Sequence, residues 1–101
     1  MDFIGLAQDS KKTETLKVYG NCDMCKKKIE GSLKKKDGVV SKQWDVKTKM
    51  LTVTYDPSKI TIEQIGKNVA NVGYDNQYAT APDDKYNGLD GCCQYERPKK
   101  K

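Results

Sequence analysis

Residues 15–33 read Thr15-Leu16-Lys17-Val18-Tyr19-Gly20-Asn21-Cys22-Asp23-Met24-Cys25-Lys26-Lys27-Lys28-Ile29-Glu30-Gly31-Ser32-Leu33, and the change of period inside this stretch decides the fold class. Through Tyr19, polar and apolar residues alternate, the period of a half-buried strand. Gly20-Asn21 breaks that pattern. From Cys25 onward, Ile29 and Leu33 follow at four-residue steps among lysines, one apolar stripe on a solvated helix predicted to end near Asp37-Gly38. A strand therefore feeds a helix through a short loop. Cys22 lies in that loop and Cys25 on the apolar stripe.

Working outward, Val39 to Val46 and Met50 to Tyr55 read as two strands joined by Lys47-Thr48-Lys49, with Val40, Trp44, Leu51, Val53 and Tyr55 supplying bulk. Asp56-Pro57 stops the second of them. Thr61 with Gln64 three residues on is a capping-box pattern that opens a second helix, with Ile62, Ile65 and Val69 on one face and Gly73 placed to end it. Tyr74 to Thr80 reads as a last strand, and the segment after Pro82 as a tail. The order βαββαβ predicts an α+β, ferredoxin-like sandwich: a four-stranded antiparallel sheet with two helices on one face, plus a C-terminal tail. The first strand is central in that arrangement, and the loop leaving it sits at one tip. The domain boundaries that follow are a flexible N-terminus over 1–12, a folded domain over 13–80 and a cysteine-containing tail over 81–101.

A chain of 101 residues holds about one small domain, and it is expected to be a monomer. Its net charge of +5 comes mostly from lysine, with Arg97 the sole arginine. Recognition of phosphates and base edges usually recruits arginine forks with interleaved aromatics, so nucleic-acid binding is not expected; an acidic protein partner fits the charge better. No apolar run approaches the roughly 20 residues needed to span a bilayer, so membrane insertion is not expected either. Phe3-Ile4-Gly5-Leu6-Ala7-Gln8 resembles the end of a signal peptide. That reading predicts a periplasmic or secreted protein, with a cytoplasmic one as the alternative.

There is no histidine, which removes the commonest acid-base catalyst and the commonest nitrogen ligand. The four cysteines fall into two pairs, Cys22 with Cys25 and Cys92 with Cys93. Two thiolates at C-x-x-C spacing on a loop entering a helix can converge on one ion, and the helix N-terminus with Lys26, Lys27 and Lys28 favours the thiolate form. Two sulfurs can satisfy Cu(I), Ag(I) or Hg(II), whereas structural Zn(II) normally takes four ligands. The same spacing serves thiol-disulfide oxidoreductases, and all four cysteines together could make a Zn(II) site. The oxidoreductase reading lacks its usual aromatic before the first cysteine, and the expectation is a metal-binding protein that is not an enzyme.

Residues Thr13 to about Tyr78 resemble a heavy-metal-associated domain, the family of copper chaperones, mercury-binding proteins and the metal-binding modules of P-type ATPases. The strand before the loop, Cys22-x-x-Cys25, Ile29 and Leu33 at their spacing, Thr52-Val53-Thr54-Tyr55-Asp56-Pro57 and Gly73-Tyr74 carry the resemblance. It implies a ferredoxin-like domain that binds Cu(I) or another soft ion through Cys22 and Cys25 and hands it to a similar, acidic domain such as that of a P-type ATPase. One position departs from the pattern. The family usually has methionine two residues before the first cysteine, tucked under the loop, and this chain has Gly20, which predicts a more mobile loop.

Around the pair, Met24 is expected to point outward, Tyr74 to come near the metal tip where its hydroxyl could tune the thiolates or to serve as a core aromatic beginning the last strand, and Lys26 to stand close to the sulfurs. Lys26 to Lys28 and Lys34 to Lys36 make the first helix basic, a surface that would steer an acidic acceptor. Cys92 and Cys93 have no counterpart in the family pattern. The twelve residues from Thr80 to Cys92 could span up to about 40 Å, twice the length of a six-residue strand. The tail can therefore return, with Asp83, Asp84, Asp90 and Glu96 expected to guide it across the basic helix, and one or both of Cys92 and Cys93 are candidate auxiliary ligands; a separate ion on a free tail, a disulfide to the loop and an intermolecular bridge are the alternatives.

Overall fold

The alternation at the start of the chain is realised as strand β1, Lys12–Lys17, with Leu16 and Val18 turned fully inward. It lies a few residues earlier than its period suggests. In this computed structural model, which describes residues 11–89 and 91–97 and of Cys92 only the backbone, β1 pairs antiparallel with β3, Met50–Tyr55, from Lys12 opposite Tyr55 to Lys17 opposite Met50. β2, Val39–Trp44, pairs with the other edge of β3, giving the order β1-β3-β2. A bulge between Val39 and Ser41 lets Val39 face the core while Val40 stays exposed. β2 stops at Trp44, short of Val46, because the Asp45 carboxylate accepts from the N–H groups of Lys47 (2.7 Å) and Thr48 (3.2 Å) and opens the turn early.

The first helix, α1, spans Asp23–Gly31 and is shorter than its lysine-rich sequence suggests. The Ser32 hydroxyl bonds to the Ile29 carbonyl at 2.6 Å, and Gly31-Ser32 has little helix propensity, so the chain leaves the helix there. Residues Lys35–Asp37 form a separate 3-10 turn closed by Gly38 at φ +105°. The second helix, α2, spans Ile62–Ala70 and begins on the expected capping box. Thr61 Oγ1 accepts from Gln64 N at 3.1 Å, and Gln64 Oε1 accepts from Thr61 N at 2.9 Å. Cys25, Ile29, Ile65 and Val69 from the two helices join Leu51 and Val53 of the sheet in one buried cluster.

Among the described residues the sheet has three strands; the expected fourth is reduced to a touch. Residues 75–77 run antiparallel along the outer side of β1, through the Val18–Asn76 bridge and the Tyr19 N to Asp75 O and Gln77 N to Lys17 O bonds, both 2.9 Å. The ladder ends because the Asn76 side chain is bonded elsewhere. Its amide donates to the carbonyls of Gly66 (2.8 Å) and Tyr74 (3.1 Å), its oxygen accepts from Tyr78 N (3.0 Å), and the chain turns back onto Ala79. β1 is still flanked on both sides, in the ferredoxin-like arrangement.

Among the described residues, 83–89 and 91–97 are folded and not a plain tail. They form helix α3, Asp83–Asn87, and a 3-10 turn, Gly91–Cys93, and bury Leu89, Cys93 and Tyr95. The readings placed on residues 1–10, on Asp90, on the Cys92 side chain and on 98–101 lie outside the described residues. No helix among the described residues is long and apolar enough to cross a membrane.

Candidate metal centre

Cys22 sits at the N-cap of α1 in an extended conformation, where its half-exposed sulfur faces the first amides of the helix. Cys25 follows one turn on, on the buried stripe. Their sulfurs are 3.6 Å apart, and that of Cys93 comes within 3.7 Å of Cys22 Sγ. All three sulfurs lie within 4.8 Å of one another. These separations are far beyond a disulfide bond of about 2.05 Å, and the three residues are thiols. Cys25 Sγ donates to Asn21 Oδ1 at 3.2 Å and approaches the Cys93 carbonyl at 4.0 Å. Three soft donors converging at the end of a helix can hold one thiophilic ion from three sides.

The electrostatics differ across the cluster. Burial opposes ionisation of Cys22, but the N–H groups of Cys25 and Met24, which lean toward its sulfur without full capping geometry, act with the thiols of Cys25 and Cys93 to bring its pKa below the ordinary thiol value. Burial pushes the Cys93 thiol up to about 12, reinforced by the neighbouring Cys25 thiol. The Tyr74 hydroxyl is fully buried with no partner at hydrogen-bonding geometry and faces the thiols of Cys25 and Cys93. Burial, then those two thiols, raise its pKa. Lys26 is turned away from the sulfurs: its ammonium pairs with Glu30 and donates to the Trp44 carbonyl at 3.2 Å. The helix amides with the two neighbouring thiols, and not this ammonium, are what favour a thiolate at Cys22. Met24 is 43% exposed and points outward.

The loop is anchored despite its glycine. A Cβ on Gly20 would lie 3.0 Å from two carbons of the Trp44 indole and 3.3 Å from Cys25 Cβ. Trp44 is itself fixed by donation from Nε1 to the Val18 carbonyl at 3.0 Å. The indole occupies the space under the loop, so a side chain at Gly20 would press on Trp44, and the glycine does not leave the loop unsupported.

Cys93 reaches the cluster on a segment that docks against the end of α2, and not across the lysines of α1 as its acidic residues suggest. Leu89 packs on Gly73, Tyr95 stacks on Tyr74 with ring centroids 5.7 Å apart, and Arg97 forms a two-pronged pair with the buried Asp75. Asp83 contributes by bonding Arg97 at 2.8 Å. Sequence reasoning passed over Tyr86, Tyr95, Arg97 and Asp75. The available signal was the run of aromatic and apolar residues at 86, 89, 93 and 95, which is not the composition of a solvated tail.

Comparison with known proteins gives the same domain. The model of the "Heavy-metal-associated domain" matches residues 16–75. The chain belongs to the heavy-metal-associated domain family. A zinc-transporting ATPase of Synechocystis sp. is 44% identical over 64 residues, 62% of this chain but only 9% of the ATPase. The mercuric transport protein periplasmic component of Shewanella putrefaciens is 39% identical over 64 residues, 62% of this chain and 70% of that protein. Among solved structures, a CopZ metallochaperone superposes with a TM-score of 0.61 at 33% identity, covering 64% of this chain and 98% of the chaperone. A heavy-metal-associated domain is what these relatives have in common with this chain; the mercuric transport protein and the CopZ metallochaperone are named as metal carriers and not as enzymes. The family match ends at residue 75, so the segment that brings Cys93 lies beyond it.

Proposed function

We propose that the chain binds a soft d10 ion, Cu(I) first and Hg(II) or Ag(I) as related cargo, through Cys22, Cys25 and Cys93, and passes it to an acceptor domain. The observation that carries this is the convergence of three sulfurs within 4.8 Å. Three thiolates complete a trigonal shell for Cu(I), whereas Zn(II) asks for a fourth ligand. Tyr74 supports the reading as a group beside the sulfurs: its buried hydroxyl can donate to a metal-bound thiolate. The lysines along α1 suit an acidic partner such as a metal-binding module of a P-type ATPase. A relative named as a periplasmic component favours an extracytoplasmic setting.

A second reading is a tetrahedral Zn(II) site with Cys92 as fourth ligand, favoured by the 44% identity to a zinc-transporting ATPase. Competitive titration with Cu(I), Ag(I), Hg(II) and Zn(II) under reducing, anaerobic conditions separates the two, with X-ray absorption counting the sulfurs around Cu(I). The expected result is Cu(I) over Zn(II) and three sulfurs in the parent chain, falling to two in Cys93→Ser. Zn(II) outcompeting Cu(I), or two sulfurs in the parent chain, would overturn the primary reading.

A further inference from the structure

Besides its contacts within the sulfur cluster, Cys93 is flanked on both sides by residues that dock the segment. Four residues before it, Leu89 fills the space over Gly73, where an added Cβ would lie 3.0 Å from Leu89 Cδ2 and where the φ of +110° independently disfavours a side chain. Two residues after it, the Tyr95 hydroxyl donates to the Gly73 carbonyl at 2.8 Å and accepts from Asp75 N at 2.7 Å. Arg97 then closes the segment. Its Nε and Nη2 reach the two carboxylate oxygens of Asp75 at 2.7 and 2.9 Å, Nη2 also donates to the Ala81 carbonyl at 2.7 Å, and Nη1 reaches Asp83 at 2.8 Å. The guanidinium lies over the Tyr86 ring at 4.8 Å. Asp75 is 3% exposed and also accepts from Ala81 N at 2.7 Å. A planar fork on a buried carboxylate fixes position as well as energy.

We propose that residues 81–89 and 91–97 form a strap in which Arg97 and Tyr95 are positioning residues for the third sulfur, so that the docked strap retains the ion and the undocked strap releases it. The inference rests on the three-sulfur reading of the site. With the strap docked, the ion has a full trigonal shell, and an incoming thiolate would have to make a fourth bond that Cu(I) does not favour. With the strap undocked, Cys22 and Cys25 hold the ion in a two-sulfur state open to the thiol of an acceptor domain. The exchange is redox-neutral: the bond from the ion to Cys93 breaks, the bond to the acceptor sulfur forms, and the proton lost by the acceptor thiol is taken up by the Cys93 thiolate. The strap sits at the end of α2 beside Tyr74, so docking and the sulfur cluster share one wall.

The test uses the full chain loaded with Cu(I), with two readouts: sulfur number by X-ray absorption, and the rate of Cu(I) loss to a chromophoric chelator. The parent chain decides the underlying reading, since two sulfurs there would remove it whatever the variants do. Given three, Arg97→Ala should shift the site toward two sulfurs and speed release by about tenfold or more, because losing one partner of a buried ion pair commonly exceeds the free energy of one decade. Arg97→Lys, which keeps the charge but loses the fork, should fall between. Tyr95→Phe is the second variant and should act in the same direction. The decisive comparison is Cys93→Ser with Cys93→Ser/Arg97→Ala, which should release at equal rates to within about twofold, since the two sites then share no further path to the ion. Three sulfurs with parental release in both Arg97→Ala and Tyr95→Phe would overturn the proposal. So would an Arg97→Ala effect that is undiminished in the Cys93→Ser background, which would make Arg97 a support of the core alone.

Discussion

Removing one oxygen atom should unfasten the strap. In Tyr95→Phe the ring is kept, and with it the stacking on Tyr74 at 5.7 Å and the edge contact with Tyr86 at 5.0 Å, so little apolar burial is lost. What is lost is the hydroxyl that serves two buried backbone groups, the Gly73 carbonyl and the Asp75 N–H. Each buried group left without a partner costs about 1–3 kcal/mol, so a strap that stayed docked would be weakened by roughly 2–6 kcal/mol. That figure has a ceiling set by the strap itself. Once the segment lifts away, water reaches both groups, and the cost cannot exceed the free energy with which the strap was docked.

Two measurements on the reduced, metal-free chain, in a Cys92→Ser background so that one tail thiol is followed, read this directly. The thermal midpoint should fall by roughly 8 °C or more if the loss is felt by the whole domain, since about 1 kcal/mol shifts a chain of this size by roughly 4–8 °C. If the loss stops at local undocking, the midpoint changes less, and alkylation of Cys93 followed by peptide mass analysis should accelerate by roughly tenfold or more. A variant that melts within about 2 °C of its parent and alkylates Cys93 at the parental rate would refute the reasoning, because neither the domain nor the strap would then feel the hydroxyl.

Other consequences can be checked on the same chain. Gly20→Met, which restores the family's usual residue, should destabilise by about 1–3 kcal/mol through collision with Trp44 and shift the tryptophan emission; a chemical melt showing a gain in stability would remove Trp44 as the loop's anchor. Thr61→Ala should cost about 1 kcal/mol in the same melt by breaking the capping box of α2. Tyr55 is pushed up to about 12, first by burial and then by its hydrogen bond to Glu14, from an ordinary value of 10. Its share of stability is therefore complete below about pH 10 and is lost as pH rises toward 12. Tyr55→Phe should flatten the urea-midpoint profile in that window, and an unchanged alkaline slope would mean that another group sets it.

The parts of the fold that were legible in the sequence are those fixed by short-range rules. The alternation leading to Val18, the four-residue stripe of Cys25 and Ile29, and the Thr61–Gln64 box each state their structure within about one helical turn of chain, and each is found. The convergence of Cys93 on Cys22 was readable only as a matter of chain length, because its cause is long-range: Asp75 and Arg97 are 22 residues apart and neither belongs to a periodic pattern. Two local cues misled for the same reason. Lysine beside the cysteines suggests a thiolate partner, but Lys26 finds Glu30 on its own helix and the Trp44 carbonyl across the sheet. Glycine in place of methionine suggests a loose loop, but the volume is supplied by Trp44, whose position in a strand gives no sign of that use.

The strap also separates two jobs that a bare C-x-x-C loop must combine. In a two-sulfur site the same exposed geometry serves both to hold the ion and to admit an acceptor, so tighter holding costs transfer. Here Cys25 and Cys93 are fully buried while Cys22 stays half-exposed at the start of the basic helix. An acidic partner drawn to that helix meets the half-exposed sulfur of Cys22, while the buried side of the proposed site is controlled from the Asp75–Arg97 pair, whose arginine lies four residues beyond Cys93. Steering acts through exposed lysines and weakens with salt; retention acts through a buried fork that salt screens much less. Raising the ionic strength should therefore slow delivery to an acidic acceptor domain while leaving loss of Cu(I) to a small neutral chelator nearly unchanged. Equal slowing of both would place steering and retention on the same contacts and remove the division of labour argued from the strap.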